Sequence, residues 1–365
     1  MKIVVIGGGY AGLACLARLA HVLPDAERHL VDPERWHLRR TLLHETLRKP
    51  LYELRASFGP IARTWDFQHH TAKLDWSPQQ LARWSRTGHL SIGRRELDFD
   101  ALVLATGLRG LRGRTSRSRT PPVLLENLAT GDGVNAFKRL AAAEGTAWVV
   151  GAGASGLQCL FELAAARPDG APLGLIEGSD TILSREPRRV RRVVQARLRA
   201  LDVQVLMETR FAGAGRGRVR VSAAGGEKSL PAGGVMLCTG PTAQPLAADA
   251  SGRVLSSGRP LPRIYAAGDC ARWRDVRFDA ATAQTAVRKG RHVAETIARV
   301  AEGQDPEAWD ARQLGYFLSL GPRDAVGWLF SRAAMVRGLP AVAAREAIEA
   351  RWDLLLHGVD TFGAL

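Results

Sequence analysis

Residues 2–12 read KIVVIGGGYAG and lead into an apolar, helix-like run that ends near His21. Three spaced glycines, Gly7, Gly9 and Gly12, directly follow a run of strand-forming residues. In this GxGxxG pattern the first glycine allows a tight strand-to-helix turn. The second lets the backbone approach a pyrophosphate, and the third lets helix and strand pack closely. Free N–H groups at the helix start attract phosphates, so the segment predicts a dinucleotide-binding unit.

The same unit occurs a second time, at residues 147–156, which read AWVVGAGASG and precede a helix-like run to Ala166. Its glycines are Gly151, Gly153 and Gly156. After each copy comes another apolar strand that ends in an acid, Asp32 in the first copy and Glu177 in the second. An acid at this place accepts hydrogen bonds from ribose hydroxyls. Two complete copies predict two dinucleotide sites on one chain, as electron transfer between two cofactors requires.

Small residues follow three further apolar runs that are typical of buried strands. The residue pairs that follow these runs are Thr106-Gly107, Thr239-Gly240 and Gly268-Asp269. Ligands of an open parallel sheet bind at the carboxyl ends of its strands. We therefore expect these residues to contact the bound dinucleotides.

The composition excludes several classes of protein. Of 365 residues, 46% are hydrophobic and 24% charged, which is ordinary for a globular chain, and no uncharged apolar run is long enough to cross a membrane. The four cysteines are far apart, without CxxC or zinc-ligand spacing. Because the first strand begins at Lys2, we expect no signal peptide and a cytoplasmic protein, peripheral at the inner membrane face at most.

The net charge of +15 comes almost entirely from arginine, which accounts for 45 of the 51 basic residues. Residues 109–119 hold five arginines among Gly, Ser and Thr and are interpreted as a solvated connector. Residues 185–192 hold another five and are interpreted as an exposed helix face. Both a bias in genome composition and an anionic partner explain such clusters. Since no aromatic residues interleave them, nucleic acid is not an expected partner.

The order of these motifs resembles the two-dinucleotide-binding-domain flavoproteins, the pyridine nucleotide:disulfide oxidoreductase superfamily. Within it, the chain looks most like the type II NADH dehydrogenases, which pass hydride from NADH through FAD to a quinone. The segment 36–45 (WHLRRTLLHE), the segment 283–290 (AQTAVRKG) and the segment 317–326 (FLSLGPRDAV) carry that closer resemblance. Without CxxC after the first unit, disulfide reductase chemistry is excluded.

The resemblance implies an α/β fold with two Rossmann-like domains and a small C-terminal hairpin and helix. The FAD domain would comprise residues 1–112 and 245–313, the NAD domain residues 113–244, and the C-terminal segment residues 314–365. An amphipathic helix at about 280–299, capped by Asp279, would aim its N-terminus at the flavin. A hairpin around 321–324 and a last helix at 341–357 would follow. The face of that helix holding Ala344, Ile348, Trp352 and Leu355 would dock onto the FAD domain or onto a membrane surface.

The resemblance also assigns the cofactor sites. FAD would bind at the first glycine turn, with Asp32, Thr106, Gly107, Gly268 and Asp269. NAD would bind at the second glycine turn, with Glu177 and Gly240. An acid such as Glu177 repels a 2′-phosphate and therefore favours NADH. The nearby Arg185 leaves NADPH open.

Two glutamines are the candidate catalytic residues. Gln284, in the AQ segment, is expected to orient the electron acceptor. Gln158 stands where the family often has glutamate, so it cannot titrate, and Arg288 replaces the family's usual second glutamine. His37 and His44 are either proton relays or structural residues.

The sequence therefore predicts an FAD-dependent enzyme that oxidises NADH and reduces an acceptor, which we expect to be a quinone. A soluble NAD(P)H reductase of a small electron-carrier protein is one alternative, and a flavin- or nucleotide-binding sensor without turnover is another. Peripheral membrane contact and a homodimer both remain open. No metal site is expected.

Overall fold

The computed structural model describes residues 1–108, 121–240, 244–310 and 312–361. The arginine-rich segment 109–119 and the predicted boundary between residues 112 and 113 lie outside them. The α-helices of the described residues are α1 (Tyr10–Val22), α2 (Phe58–Thr64), α3 (Pro78–Thr87), α4 (Gly131–Ala142), α5 (Ala154–Ala166), α6 (Arg188–Ala200), α7 (Ala283–Ala301) and α8 (Leu339–Leu356). Short 3-10 segments occur at Arg40–Leu47, Leu51–Leu54, Leu125–Ala129 and Gly268–Cys270.

The strands belong to two large sheets and several small ones. They are β1 (Lys2–Ile6), β2 (Glu27–Asp32), β3 (Trp36–Leu38), β4 (Arg55–Ser57), β5 (Gln68–Thr71), β6 (His89–Ile92), β7 (Arg95–Asp98), β8 (Ala101–Leu104), β9 (Val123–Leu124), β10 (Ala147–Val150), β11 (Leu173–Ile176), β12 (Gln204–Leu206), β13 (Arg210–Gly215), β14 (Arg218–Ala223), β15 (Gly226–Pro231), β16 (Gly234–Leu237), β17 (Leu246–Ala248), β18 (Arg253–Ser256), β19 (Arg259–Ala266), β20 (Ala271–Trp273), β21 (Gly315–Ser319), β22 (Ala325–Leu329) and β23 (Met335–Arg337).

The first large sheet has the order β20-β17-β18-β19-β8-β1-β2-β5. At its centre β1 pairs in parallel with both β2 and β8, and Ile6 lies opposite Val31 and Leu104. These strands are buried on both faces, as expected for β-branched and leucine-rich runs in a parallel sheet covered by helices. Their carboxyl ends therefore lie side by side, and the first glycine turn begins there.

The second large sheet is entirely parallel, in the order β12-β11-β10-β16-β9. Val150 of β10 lies opposite Ile176 of β11 and Leu237 of β16. The second glycine turn, Glu177 and the end of β16 consequently share one edge. The α/β fold with two Rossmann-like units is thus confirmed.

The two sheets draw on different parts of the chain. The first uses strands from residues 2–104 and 246–273, and the second uses strands from residues 123–237. The strands of the second sheet are therefore inserted between those of the first along the chain. The exact bounds 1–112, 113–244, 245–313 and 314–365 stay predictions.

Helix α7 lies against α1 at very short distance. A Cβ at Gly290 of α7 would lie 2.1 Å from the carbonyl oxygen of Ala11 in α1. Only glycine permits this approach, because a real Cβ essentially never comes within 3.0 Å of another heavy atom. Gly290 thereby fixes α7 next to the helix that starts at the first glycine turn.

The start of α7 differs from the prediction. The helix begins after Thr282, whose hydroxyl accepts the N–H of Thr285 at 3.2 Å, so Thr282 is the N-cap and not Asp279. Asp279 accepts the N–H of Trp273 at 2.8 Å and lies 2.6 Å from the Lys289 ammonium. A buried ammonium is a stronger partner for the carboxylate than a helix end is, which explains the error.

Helix α6 confirms the interpretation of the second arginine cluster for three of its five members, since Arg185 precedes the helix. It begins at Arg188 and buries Val190, Val194 and Leu198 on one face. Arg188, Arg189 and Arg192 are exposed, whereas Arg191 is partly buried and donates to the Thr181 hydroxyl at 2.8 Å. The exposed face of α6 is consequently strongly positive.

The C-terminal segment contains the predicted hairpin, β21 and β22, to which β23 adds a third strand. Helix α8 follows, and its side chains Trp352 and Leu355 are buried as predicted. Ile348, predicted on the same face, is 47% exposed, because α8 packs through the side that carries Trp352 and Arg345, which lies 2.7 Å from Glu45. Within the described residues, no helix is both long and apolar enough to cross a bilayer.

Candidate active site

The first glycine turn has the strained and close-packed geometry that its three glycines allow. Gly7 has φ +105°, and a Cβ there would lie 2.5 Å from the carbonyl oxygen of Ala105. A Cβ at Gly12 would lie 1.9 Å from the carbonyl oxygen of Gly7. At Gly9, in contrast, a Cβ would meet nothing within 4 Å. The turn is thus tight on the protein side and open where a pyrophosphate would approach.

Asp32 lies at the end of β2, beside this turn. Its carboxylate accepts the N–H of Gly8 at 2.7 Å and the N–H of Glu34 at 2.8 Å. These two bonds fix the carboxylate at the sheet edge. Each oxygen retains a lone pair, so the group can accept ribose hydroxyls as well.

The remaining predicted FAD residues lie at the same sheet edge. Thr106 and Gly107 follow β8 and are exposed, and Gly107 has φ +64° with open space beside it. Gly268, at φ +76°, follows β19, whose residue Ala266 lies opposite Leu104 of β8. Asp269 is half-buried, and this burial raises the pKa of its carboxyl group.

The second glycine turn reproduces the first. Gly151 has φ +101°, and its Cβ would lie 2.4 Å from the carbonyl oxygen of Cys238. A Cβ at Gly156 would lie 1.9 Å from the carbonyl oxygen of Gly151. Gly153 and Gly240 both face open space, and Gly240 has φ +80°. The two turns therefore share one geometry, although their sequences differ.

Glu177 takes the place in the second unit that Asp32 takes in the first. Its carboxylate accepts the N–H of Ala152 at 2.6 Å, and the N–H and hydroxyl of Ser179 at 2.8 and 2.7 Å. Burial alone would raise the pKa of Glu177, but these hydrogen bonds outweigh it and the pKa is lowered. Glu177 is thus a fixed anion at the edge where an adenosine ribose would lie.

Gln158, on α5, contacts the first unit through His44. The amide Nε2 of Gln158 lies 3.5 Å from Nε2 of His44, so the amide donates and the ring nitrogen accepts. His44 is buried, and this burial lowers its pKa to about 3. The pair links the two dinucleotide units with neutral groups.

Gln284 is the second residue of α7 and is partly buried. Its side-chain oxygen accepts the N–H of Leu314 at 3.2 Å, just before β21. Gln284 and Gln158 therefore have different partners: one ties α7 to the C-terminal segment, and the other ties α5 to the Arg40–Leu47 segment.

Sequence reasoning missed a buried contact between α8 and the first glycine turn. The indole N–H of Trp352 donates to Nε2 of His37 at 3.0 Å. His37 Nδ1 therefore carries the hydrogen and donates to the carbonyl of Gly8 at 3.0 Å. Tyr10 packs against both rings, with centroids 4.9 and 4.7 Å away. Burial lowers the pKa of His37 to about 4, so it is a neutral positioning group at neutral pH.

A buried charge cluster, also unforeseen, joins three parts of the chain. Glu45, fully buried, lies within 3.0 Å of Arg48, Lys49 and Arg345, the last of which belongs to α8. Arg48 also lies 3.2 Å from Glu162 of α5. Burial would raise the pKa of Glu45, but the surrounding cations lower it to about 2. No periodic or motif signal marks this cluster, since Glu162 and Arg345 are distant in sequence from Glu45 and Arg48.

The two sites fit dinucleotides on these observations. Each has a glycine turn open to an approaching phosphate, the free N–H groups of a 13-residue helix, and a fixed acid at the adjacent strand end. The extra contacts expected for FAD, at Thr106, Gly107 and Asp269, lie beside the first turn only. The assignment of FAD to the first turn and of NAD to the second stays a prediction. Among the described residues, no cluster of His, Cys, Asp and Glu is able to hold a metal.

Comparison with known proteins gives one family and several relatives. The model of the family described as pyridine nucleotide-disulphide oxidoreductase matches residues 1–290. A type II NADH:quinone oxidoreductase of Staphylococcus aureus is 22% identical over 394 residues, covering 98% of this chain and 96% of the relative.

Solved structures share the fold at low identity. NDH2 from Plasmodium falciparum in complex with NADH superposes with a TM-score of 0.78 at 12% identity, over 98% of this chain and 96% of that one. The sulfide:quinone oxidoreductase of Aquifex aeolicus gives 0.81 at 13% identity, over 99% and 93%.

Proposed function

We propose that this chain, which belongs to the pyridine nucleotide-disulphide oxidoreductase family, transfers electrons from NADH through FAD to a quinone. It is an NADH dehydrogenase flavoprotein, and its cofactors are FAD and NAD. The observation that carries the proposal is the pair of matched glycine turns, each beside a fixed acid, within one chain. The curated type II NADH:quinone oxidoreductase, which resembles the chain over nearly its whole length, supports the quinone as acceptor.

The residues of the two sites have separate tasks in this proposal. The turns at Gly7–Gly12 and Gly151–Gly156 hold the two pyrophosphates. Asp32 and Glu177 hold riboses, and the negative charge of Glu177 disfavours the 2′-phosphate of NADPH. FAD, when bound, would supply the redox chemistry that accepts two electrons from NADH and passes them to the acceptor.

We propose a positioning role, without proton transfer, for three side chains near the sites: Gln158, His44 and His37. The histidine pKa values of about 3 and 4 leave both rings neutral near pH 7, and an amide does not titrate. Gln284, held by its bond to the backbone of Leu314, is our candidate for orienting the acceptor beside α7.

The quinone would dissolve in a membrane, and we propose that the C-terminal segment contacts that membrane. Large apolar side chains are exposed there, namely Phe330, Leu339, Ile348 and Leu354. Apolar side chains on a positively charged protein suit the surface of an anionic membrane. This contact would be peripheral.

A reductase of a small acidic carrier protein is a second candidate, favoured by the exposed arginines of α6. Arg188 and Arg192 give that helix a positive face with no acidic residue in its first turn. Such a surface would bind an acidic carrier with affinity that falls as salt is added.

The test is anaerobic reduction of the bound flavin. We expect NADH to bleach the visible flavin spectrum faster than NADPH does, and Glu177→Ala to reduce the difference. Glu227→Gln, on an exposed strand of the same unit, is the matched control. A bound flavin that neither nucleotide bleaches contradicts the proposal and favours another electron donor or a sensor. Absence of bound flavin refutes the FAD site at the first glycine turn.

The acceptor is tested by adding either a water-soluble quinone or an acidic iron–sulfur carrier protein to the NADH-reduced enzyme. Reoxidation by the quinone, insensitive to salt, supports the main proposal. If only the carrier protein reoxidises the enzyme, and does so in a salt-sensitive way, the acceptor is a carrier protein and not a quinone.

A further inference from the structure

The two fixed acids beside the glycine turns are held by the backbone in the same way. Asp32 accepts one N–H from its glycine turn at 2.7 Å and one from Glu34, two residues later, at 2.8 Å. Glu177 likewise accepts the N–H of Ala152 at 2.6 Å and that of Ser179, two residues later, at 2.8 Å. In both acids the two N–H groups bind different oxygens, so each carboxylate oxygen has one backbone donor.

The second acid has one further partner, the hydroxyl group of Ser179. That hydroxyl donates to Oε1 of Glu177 at 2.7 Å, the same oxygen that accepts the Ser179 N–H. In the first unit this position holds Glu34, which when ionised is an acceptor only. An ionised carboxylate has about four places for hydrogen-bond donors. The hydrogen bonds of the described residues occupy three of these places on Glu177 and two on Asp32.

The Ser179 hydroxyl has a choice of acceptors, since it also lies 3.0 Å from the carbonyl oxygen of Thr181. It carries a single hydrogen and can donate to only one of the two oxygens at a time. The bond to Glu177 is the shorter one, and a bond to an ionised acceptor is about twice as strong as a bond to a neutral one. Thr181 is itself held in place, because its own hydroxyl accepts a hydrogen bond from Arg191 at 2.8 Å. The Ser179 hydroxyl therefore prefers Glu177 and has a second, fixed acceptor beside it.

We propose that Ser179 lowers the affinity of the second site for its dinucleotide, because its hydroxyl competes with one hydroxyl of the adenosine ribose for Glu177. This role rests on the proposed function, in which the first turn binds FAD and the second binds NAD. A ribose offers two neighbouring hydroxyl groups, and Asp32 has room for both. Glu177 has room for one unless the Ser179 hydroxyl turns to Thr181. The site that must release NAD after each turnover is thus the one that holds its ribose less completely.

Ser179→Ala should consequently tighten the binding of NAD⁺, although it deletes a polar group from the site. The backbone N–H of residue 179 remains, so Glu177 stays fixed and both ribose hydroxyls can donate to it. We expect the Kd for NAD⁺ to fall about fivefold, because the second ribose hydroxyl gains a charge-assisted hydrogen bond in place of a neutral one. Ser179→Thr keeps a hydroxyl and should keep the wild-type Kd.

The experiment is calorimetric titration of the FAD-loaded enzyme with NAD⁺ near neutral pH, since NAD⁺ does not reduce the flavin. A second titration uses the NAD⁺ analogue that lacks the 2′-hydroxyl of the adenosine ribose. This analogue has one hydroxyl left for Glu177, so the wild type and Ser179→Ala should bind it with equal Kd. Ser184→Ala, at an exposed serine of the same loop, is the matched control and should bind both nucleotides as the wild type does.

A purely structural role of Ser179 gives a different result. If the hydroxyl only orients Glu177, Ser179→Ala raises the Kd for NAD⁺, because a less well-held acid binds the ribose more weakly, and the proposal is overturned. An unchanged Kd overturns it too, since the hydroxyl then does not compete. An equal gain for NAD⁺ and its deoxy analogue is also contradictory, because the effect then does not involve the ribose hydroxyls. Failure of the wild type to bind NAD⁺ at all is a separate result, which refutes the proposed function itself.

Discussion

Gly290→Ala should loosen the first cofactor site without touching it. The added methyl group would lie 2.1 Å from the carbonyl oxygen of Ala11, whereas ordinary contacts begin near 3.4 Å, so α1 and α7 must separate by about 1.3 Å. Overpacking costs about 1–3 kcal/mol, and a clash with backbone belongs at the upper end because no rotamer relieves it. The better helix propensity of alanine returns about 1 kcal/mol, which leaves a net loss of about 2 kcal/mol.

The loss is measured as thermal unfolding of the FAD-loaded protein, together with flavin release at a temperature where the wild type retains it. At about 2–4 °C per kcal/mol, the Tm should fall by about 4–8 °C, and flavin should be released more readily because α1 begins at the pyrophosphate turn. Gly131→Ala is the matched control, since that helical glycine has nothing within 4 Å of its Cβ position and should not lower the Tm. Equal Tm values for Gly290→Ala and wild type would refute the packing argument.

Three further predictions concern the buried polar contacts. Trp352→Phe leaves Nε2 of His37 without its donor and should lower the free energy of unfolding by about 1–3 kcal/mol, as measured by denaturant titration. An unchanged free energy of unfolding would show that water replaces the indole as donor. Glu45 has a pKa lowered from 4.5 to about 2, so its contribution to the free energy of unfolding is complete above about pH 4.5 and disappears as the pH falls towards 2. Glu45→Gln should therefore flatten the pH dependence of that free energy between pH 2 and 4.5. If the variant and the wild type show parallel pH dependences, the assignment is contradicted. Gln158→Glu places a carboxylate beside His44 and should raise the His44 pKa from about 3 towards its usual range, as measured by NMR titration. An unchanged His44 pKa would mean that the 3.5 Å contact between these side chains is absent in solution.

The cofactor turns were predictable because their information is local. Gly7 and Gly151 need positive φ, and the third glycine of each copy must lack a Cβ to pass the first one's carbonyl. These demands fall on residues only five apart, and the acid follows at the end of the next strand. The structure finds both turns and both acids at the edges that the sequence indicates.

The contacts that hold these turns in place were not predictable in the same way. Trp352 and His37 are 315 residues apart, and Arg345 and Glu45 are 300 apart. A side chain's own segment carries no sign of such a partner. Lys289 illustrates the limit, since its place in an amphipathic helix gives no indication that Asp279 lies 2.6 Å from its ammonium.

The cap of α7 shows how a distant contact overrides a local preference. Both Asp279 and Thr282 are residue types that cap helices well. Local propensity favours neither clearly, but Lys289 engages Asp279 and leaves Thr282 at the helix start. The same buried lysine that was unforeseen therefore caused the error in the predicted cap.

Helix α8 belongs to the first site as much as to the C-terminal segment. Through Trp352 it holds His37 on the Gly8 carbonyl, and the carbonyl of Leu355 accepts the indole N–H of Trp65 at 2.9 Å. One face of the helix thus contacts the residues that pack around the glycine turn. Ile348 and Leu354, each nearly half exposed, lie outside that packing, and we propose that they face the acceptor or a membrane. Docking onto the FAD unit and contact with a surface are therefore compatible roles of one helix, because they use different side chains.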